Sequence, residues 1–135
     1  KMKKYILDTS AVVKWFSREK GTAEAEDWLK LLERGEIEIY LPELVKYELA
    51  NALLKGKKLS FKEAELALRI FCRLPLIFVE ENFEMARLSY KFAEKLAISY
   101  YDACFLALAK TQRATLVTAN PRHQQKIAGL KIISF

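Results

Sequence analysis

The sequence predicts an α/β domain, a three-layer α/β/α sandwich around a central parallel sheet. Three observations lead there. Short β-branched runs alternate with longer stretches of helical periodicity, and parallel strands need such crossovers between them. Paired helical stretches often separate consecutive strands, enough to cover both faces of a sheet. One stretch, residues 99–109, carries a single charge, and a helix apolar all round is a buried one.

Residues 4–7 read as a short strand ending at Asp8. A short helix over 9–17 follows, with Asp8 or Thr9 as its cap. A second helix spans 22–34, its apolar face made by Ala25, Trp28, Leu29 and Leu32, and Gly35 stops it. Residues 37–41 are a strand. Pro42 is expected in the first turn of the next helix, where a missing N–H costs nothing. That helix runs to about Lys55, before Gly56. Ser60 and Glu63 have capping-box spacing and open a helix that ends before Pro75. Residues 76–79 form a strand. Helices follow from about Asn82 to Leu96 and from Ser99 to Gln112, then a strand over 115–118, a short helix, and a last strand over 131–133.

The 135 residues suit one domain. Lys1 precedes Met2 and is expected to be foreign to the natural chain, so the domain is taken as residues 2–135. A hydrophobic fraction of 52% against 30% charged excludes a disordered chain. The net charge of +6 favours a polyanionic partner. Cys72 and Cys104 stand too far apart for a ligand pair and are expected to be reduced, packed thiols. No apolar run reaches the ~20 residues of a membrane span. A soluble, cytoplasmic protein is expected.

The informative residues are acids that break an apolar pattern. Asp8 ends the first strand, and in an open parallel sheet binding sites form outside the carboxyl ends of strands. A helix N-cap reading fits Asp8 as well. Glu48 lies on the apolar stripe made by Leu44, Val45, Leu49, Ala52 and Leu53, where an unpaired carboxylate is costly. A cation is therefore expected beside it, either a metal or a basic side chain. Asp102 is the lone charge of the apolar helix and follows Ser99 at capping spacing, so a first-turn role is open to it too. Carboxylates that converge repel one another unless a cation lies between them. Oxygen-only donors suit magnesium or manganese, and a single histidine, His123, argues against zinc.

Four stretches then carry a resemblance. Residues 5–16 (YILDTSAVVKWF), 41–53 (LPELVKYELANAL), 101–109 (YDACFLALA) and 116–120 (LVTAN) resemble, in order, the motifs of PIN-domain proteins. The closest subgroup is the VapC-like toxins of toxin–antitoxin pairs. The resemblance implies a metal-dependent endoribonuclease acting on single-stranded RNA, an acidic pocket holding magnesium or manganese, a homodimer and a small antitoxin that blocks the pocket. It assigns Asp8, Glu48 and Asp102 to the family acids and Thr118 to a hydroxyl near the first of them. The fourth motif departs from the pattern. Asn120 stands where many relatives carry Asp, and the following Pro121, Arg122 and His123 supply no acid. Asn120 can accept a hydrogen bond but contributes no charge, which puts a second metal ion in doubt. An assisting role and that of a solvated surface residue are both open to His123.

Cations near the acids would serve an RNA substrate. The candidates are Lys14, Arg18, Lys46, Lys55, Lys57, Lys58, Arg122 and Lys126, with Lys14 and Lys46 expected on the rim. Around Leu66, Ile70 and Phe71, a dimer surface and plain core packing both fit. Two other classes compete. A catalytically silent PIN fold that binds RNA or acts as a scaffold is motivated by Asn120. A receiver-like signalling domain would need an acidic pair before the first strand's end, and Lys3 and Lys4 stand there instead.

Overall fold

The computed structural model describes residues 2–120, 127 and 129–135. The short helix expected before the last strand, together with Arg122, His123 and Lys126, lies outside the described residues.

The chain forms β1 (Lys3–Leu7), α1 (Thr9–Val12), α2 (Thr22–Glu33), β2 (Ile37–Pro42), α3 (Leu44–Asn51), α4 (Phe61–Arg73), β3 (Ile77–Val79), α5 (Phe83–Leu96), α6 (Tyr100–Gln112), β4 (Thr115–Thr118) and β5 (Ile132–Ser134). A 3₁₀ stretch, Val13–Phe16, extends α1, and a π-helical stretch, Ala52–Gly56, extends α3.

All pairings are parallel and the strand order is β3-β2-β1-β4-β5. Successive strands run outward from β1 to β3, and the chain then crosses back to place β4 on the other side of β1. The winding direction therefore reverses between β1 and β4. A crevice opens at such a switch point, outside the carboxyl ends of the two strands.

Local chemistry fixes each segment. Gly35, at φ +70°, lets the chain leave α2 and turn into β2. Ser60 and Glu63 close a full capping box on α4. Asn82 caps α5 and Ser99 caps α6 through their side-chain oxygens. Pro42 departs from expectation. It is the last residue of β2, in register with Val79, and α3 begins two residues later. Pairing with β1 ends at Tyr40, so at Pro42 the strand is bonded on the β3 side alone, an edge-like position that accepts proline.

The core is continuous. Ile6, Leu7, Ile39, Leu41, Leu116 and Val117 from the sheet meet Phe105, Leu106 and Leu108 of α6. The helix α6 is buried from Ala103 to Ala109, as its composition demands. Phe71 of α4 is buried against Phe16 and Phe78, whereas Leu66 and Ile70 of the same helix are exposed. The thiols separate likewise, Cys104 buried and Cys72 exposed, so the expectation of two packed cysteines holds for Cys104 alone.

Candidate active site at the switch of the sheet

The strand β1 delivers Asp8 to the crevice. The Asp8 N–H donates to the Val117 carbonyl (3.2 Å), continuing the β1–β4 ladder one residue past the strand. Its backbone is extended (φ −77°, ψ 172°), and Oδ1 accepts from the Ala11 N–H (3.1 Å), so Asp8 is the N-cap of α1. The same carboxylate accepts from the Ser10 hydroxyl (2.5 Å) and, through Oδ2, from the Thr118 hydroxyl. Asp8 is completely buried as a residue. The cap reading holds, and the same geometry puts Asp8 at the crevice.

Thr118, also fully buried, ends β4. Its hydroxyl donates to Asp8 and accepts from the Asn120 N–H (2.8 Å). Ser10 performs a parallel task, donating to Asp8 while accepting from the Ala119 N–H (3.1 Å). Two hydroxyls thus tie the turn after β4 to the turn after β1.

Glu48 comes from α3. Val45, Leu49 and Leu53 are fully buried, while Leu44, Glu48 and Ala52 lie half-buried along the border of that stripe. The Thr9 hydroxyl donates to Glu48 Oε1 (2.6 Å). Asp102 sits in the first turn of α6, where its N–H donates to the capping Ser99 hydroxyl (3.0 Å). Its Oδ2 is buried.

These residues share one cleft of about 290 Å³, lined by Asp8, Thr9, Ser10, Glu48, Asn51, Asp102, Phe105 and Asn120. The cleft brings Asp8, Glu48, Asp102 and Asn120 together from four separate parts of the chain, with Thr118 behind Asp8. Thr9, Ser10 and Asn51 were not singled out as site residues from the sequence. Hydroxyls just after a strand-end acid look like ordinary helix-start chemistry, and only the fold reveals that they face two different acids. Among the described residues, no three His, Cys, Asp or Glu side chains close into a metal cluster. The acids border a common space; Asp8 is held by the Ser10 and Thr118 hydroxyls and the Ala11 N–H, and Glu48 by the Thr9 hydroxyl.

The donor chemistry fits a hard cation. The lining polar groups are carboxylates, hydroxyls and amides, all oxygen donors toward a metal, the set that suits magnesium or manganese.

The expected basic rim is not where the sequence suggested. Lys14 donates to Glu19 (2.9 Å) and to the Lys20 carbonyl (2.8 Å). Lys46 pairs with Glu43 (2.9 Å), its ammonium 4.4 Å from the Phe78 ring centroid. Lys57 pairs with Glu19. Arg18 borders a different hollow, beside Glu19 and Lys57. None of these lines the acidic cleft. The short spacing from Asp8 to Lys14 misled because the 3₁₀ stretch turns Lys14 toward the following loop.

The sequence matches the model of the PIN domain over residues 5–130. The chain belongs to the PIN domain family. Solved structures share the fold of this PIN domain closely. VapBC2 from Rickettsia felis, bound to a DNA fragment from its promoter, aligns with a TM-score of 0.75 at 21% identity, covering 98% of each chain. A toxin–antitoxin complex from Klebsiella pneumoniae gives 0.65 at 20% identity, over 93% of this chain and 94% of that one. The VapC20 toxin of Mycobacterium tuberculosis, which cleaves the sarcin–ricin loop, gives 0.69 at 12% identity, over 94% and 98%. No curated protein matches the sequence significantly.

Proposed function

We propose that this PIN domain is a metal-dependent endoribonuclease that hydrolyses phosphodiester bonds of single-stranded RNA, and that it is the toxin of a toxin–antitoxin pair. The observation that carries the reading is the common cleft of Asp8, Glu48 and Asp102 at the switch point of the sheet. Its likeness in fold to VapC and VapBC structures, and the net charge of +6, favour RNA as the substrate.

Asp8, Glu48 and Asp102 would hold magnesium or manganese. When bound, such an ion lowers the pKa of a water and offsets negative charge on the phosphoryl oxygens. The chain's residues do the rest. Ser10, Ala11 and Thr118 fix both oxygens of Asp8, so its orientation needs no rearrangement at the moment of reaction. Glu48, held by Thr9 through one oxygen, would accept the proton released by the attacking water. Asn120 would steer that water through its side-chain carbonyl. A small antitoxin covering the cleft and a homodimer complete the proposal. No helix among the described residues is long and apolar enough to cross a membrane.

Purified protein incubated with mixed single-stranded RNA tests the reading. Cleavage is expected in manganese or magnesium and is lost in EDTA and in Asp8→Asn. Asn120 favours one rival, a PIN fold that binds RNA without cutting it. Under that rival RNA affinity persists while no metal restores cleavage.

A further inference from the structure

Beside the acidic cleft, on the same two helices, lies a smaller hollow of about 180 Å³. Leu44, one turn before Glu48 on α3, forms one wall. Tyr101 and Cys104, on either side of Asp102 on α6, form another, and Met85 of α5 lies opposite. Tyr101 lines the hollow, is 59% exposed and lies nearly perpendicular to the Tyr100 ring at 6.5 Å. Glu81 gives the hollow a polar edge beside the two tyrosines. The Tyr100 hydroxyl donates to its Oε1 (2.7 Å) and the Cys104 thiol approaches the same oxygen (3.9 Å).

We propose that this hollow receives an unstacked nucleobase of the RNA strand whose phosphodiester enters the acidic cleft, with Tyr101 stacking on the base and Glu81 selecting guanine. The inference rests on the nuclease reading. Its physical grounds are three. The hollow is mostly apolar and has room for a planar group. Its charged lining residues are Glu43, which is paired with Lys46, and Glu81, whose carboxylate repels a phosphate but accepts N–H groups. Single-stranded RNA is recognised by stacking splayed bases on aromatic rings and bonding their Watson–Crick edges. Guanine presents two adjacent donors on that edge, a match for one carboxylate. Uracil presents one N–H between two carbonyls, which the carboxylate opposes.

The test uses the full chain and short oligouridylates carrying a single guanosine, adenosine or cytidine, or none. Affinity is read by fluorescence anisotropy in EDTA, and cleavage is read in manganese. The guanosine oligomer should bind about tenfold tighter than the uniform one, and Tyr101→Ala should weaken it about tenfold. Glu81→Gln should collapse the guanosine-to-uridine ratio toward unity. Both side chains are exposed, so circular dichroism should show both variants folded. Equal affinity for all oligomers, unmoved by either substitution, overturns the subsite even if manganese-dependent cleavage is intact. A guanosine preference that both variants reduce, with no cleavage in any metal, upholds the subsite and instead defeats the nuclease reading.

Discussion

Asp8 and Thr118 hold each other at the bottom of the cleft, and their substitution should cost stability as well as chemistry. Thr118→Val keeps the shape and removes a buried hydroxyl that bonds both Asp8 and the Asn120 N–H. Urea denaturation should show a loss of about 1–3 kcal/mol, and unchanged stability would refute the role given to the hydroxyl. Asp8→Ala is a poor probe of catalysis, because it deletes the cap of α1 together with the carboxylate. Asp8→Asn keeps an acceptor and is the cleaner substitution. A second residue-scale prediction concerns Glu19. Hydrogen bonds from Lys57 and then Lys14 hold its carboxyl below the usual value of 4.5. A lowered folded-state pKa means that the stabilisation is whole above the unfolded value and fades as pH falls through the folded one. The gap in melting temperature between the native chain and Glu19→Gln should therefore be widest near about pH 6 and narrow toward about pH 3. A gap that is constant with pH would contradict it. The three acids were legible in the sequence because each interrupts an apolar pattern. Thr9 and Ser10 were not, since hydroxyls around a helix start carry no sign of which acid they will meet.

At the scale of elements, helix ends give sharp expectations. Ser60→Ala removes one half of the capping box on α4 and should cost about 1 kcal/mol in chemical denaturation. Ala97 terminates α5 at φ 54°, a left-handed conformation that burdens any side chain with a Cβ. Ala97→Gly should therefore raise stability, by up to about 1 kcal/mol, and a measured loss would show that the methyl group has a packing role. Caps and breakers were readable from single residues, which is why Ser60, Asn82 and Ser99 fell where expected. The π-helical stretch Ala52–Gly56 was not. The Lys57 N–H reaches the Ala52 carbonyl (2.9 Å), one residue further back than in an α-helix, and apolar periodicity does not resolve a single-residue shift. Pro42 shows the same limit, because a strand end and a first helical turn both accept proline.

For the molecule as a whole, the sheet order decides where chemistry can sit. Alternating strands and helices foretold parallel layers, but the reversal between β1 and β4 is a property of the order β3-β2-β1-β4-β5, which no local pattern encodes. That reversal gathers Asp8, Glu48, Asp102 and Asn120 around one space. The central claim is that these residues work as one unit. Residues acting as a unit lose their effect together, so their substitutions are strongly non-additive. The decisive measurement is the rate of cleavage of one single-stranded RNA in manganese by the native chain, Asp8→Asn, Asp102→Asn and the double variant. Each single substitution should drop the rate to the level seen in EDTA, with the double variant no lower. A single variant that keeps the native rate, or losses that multiply in the double variant, would contradict the claim.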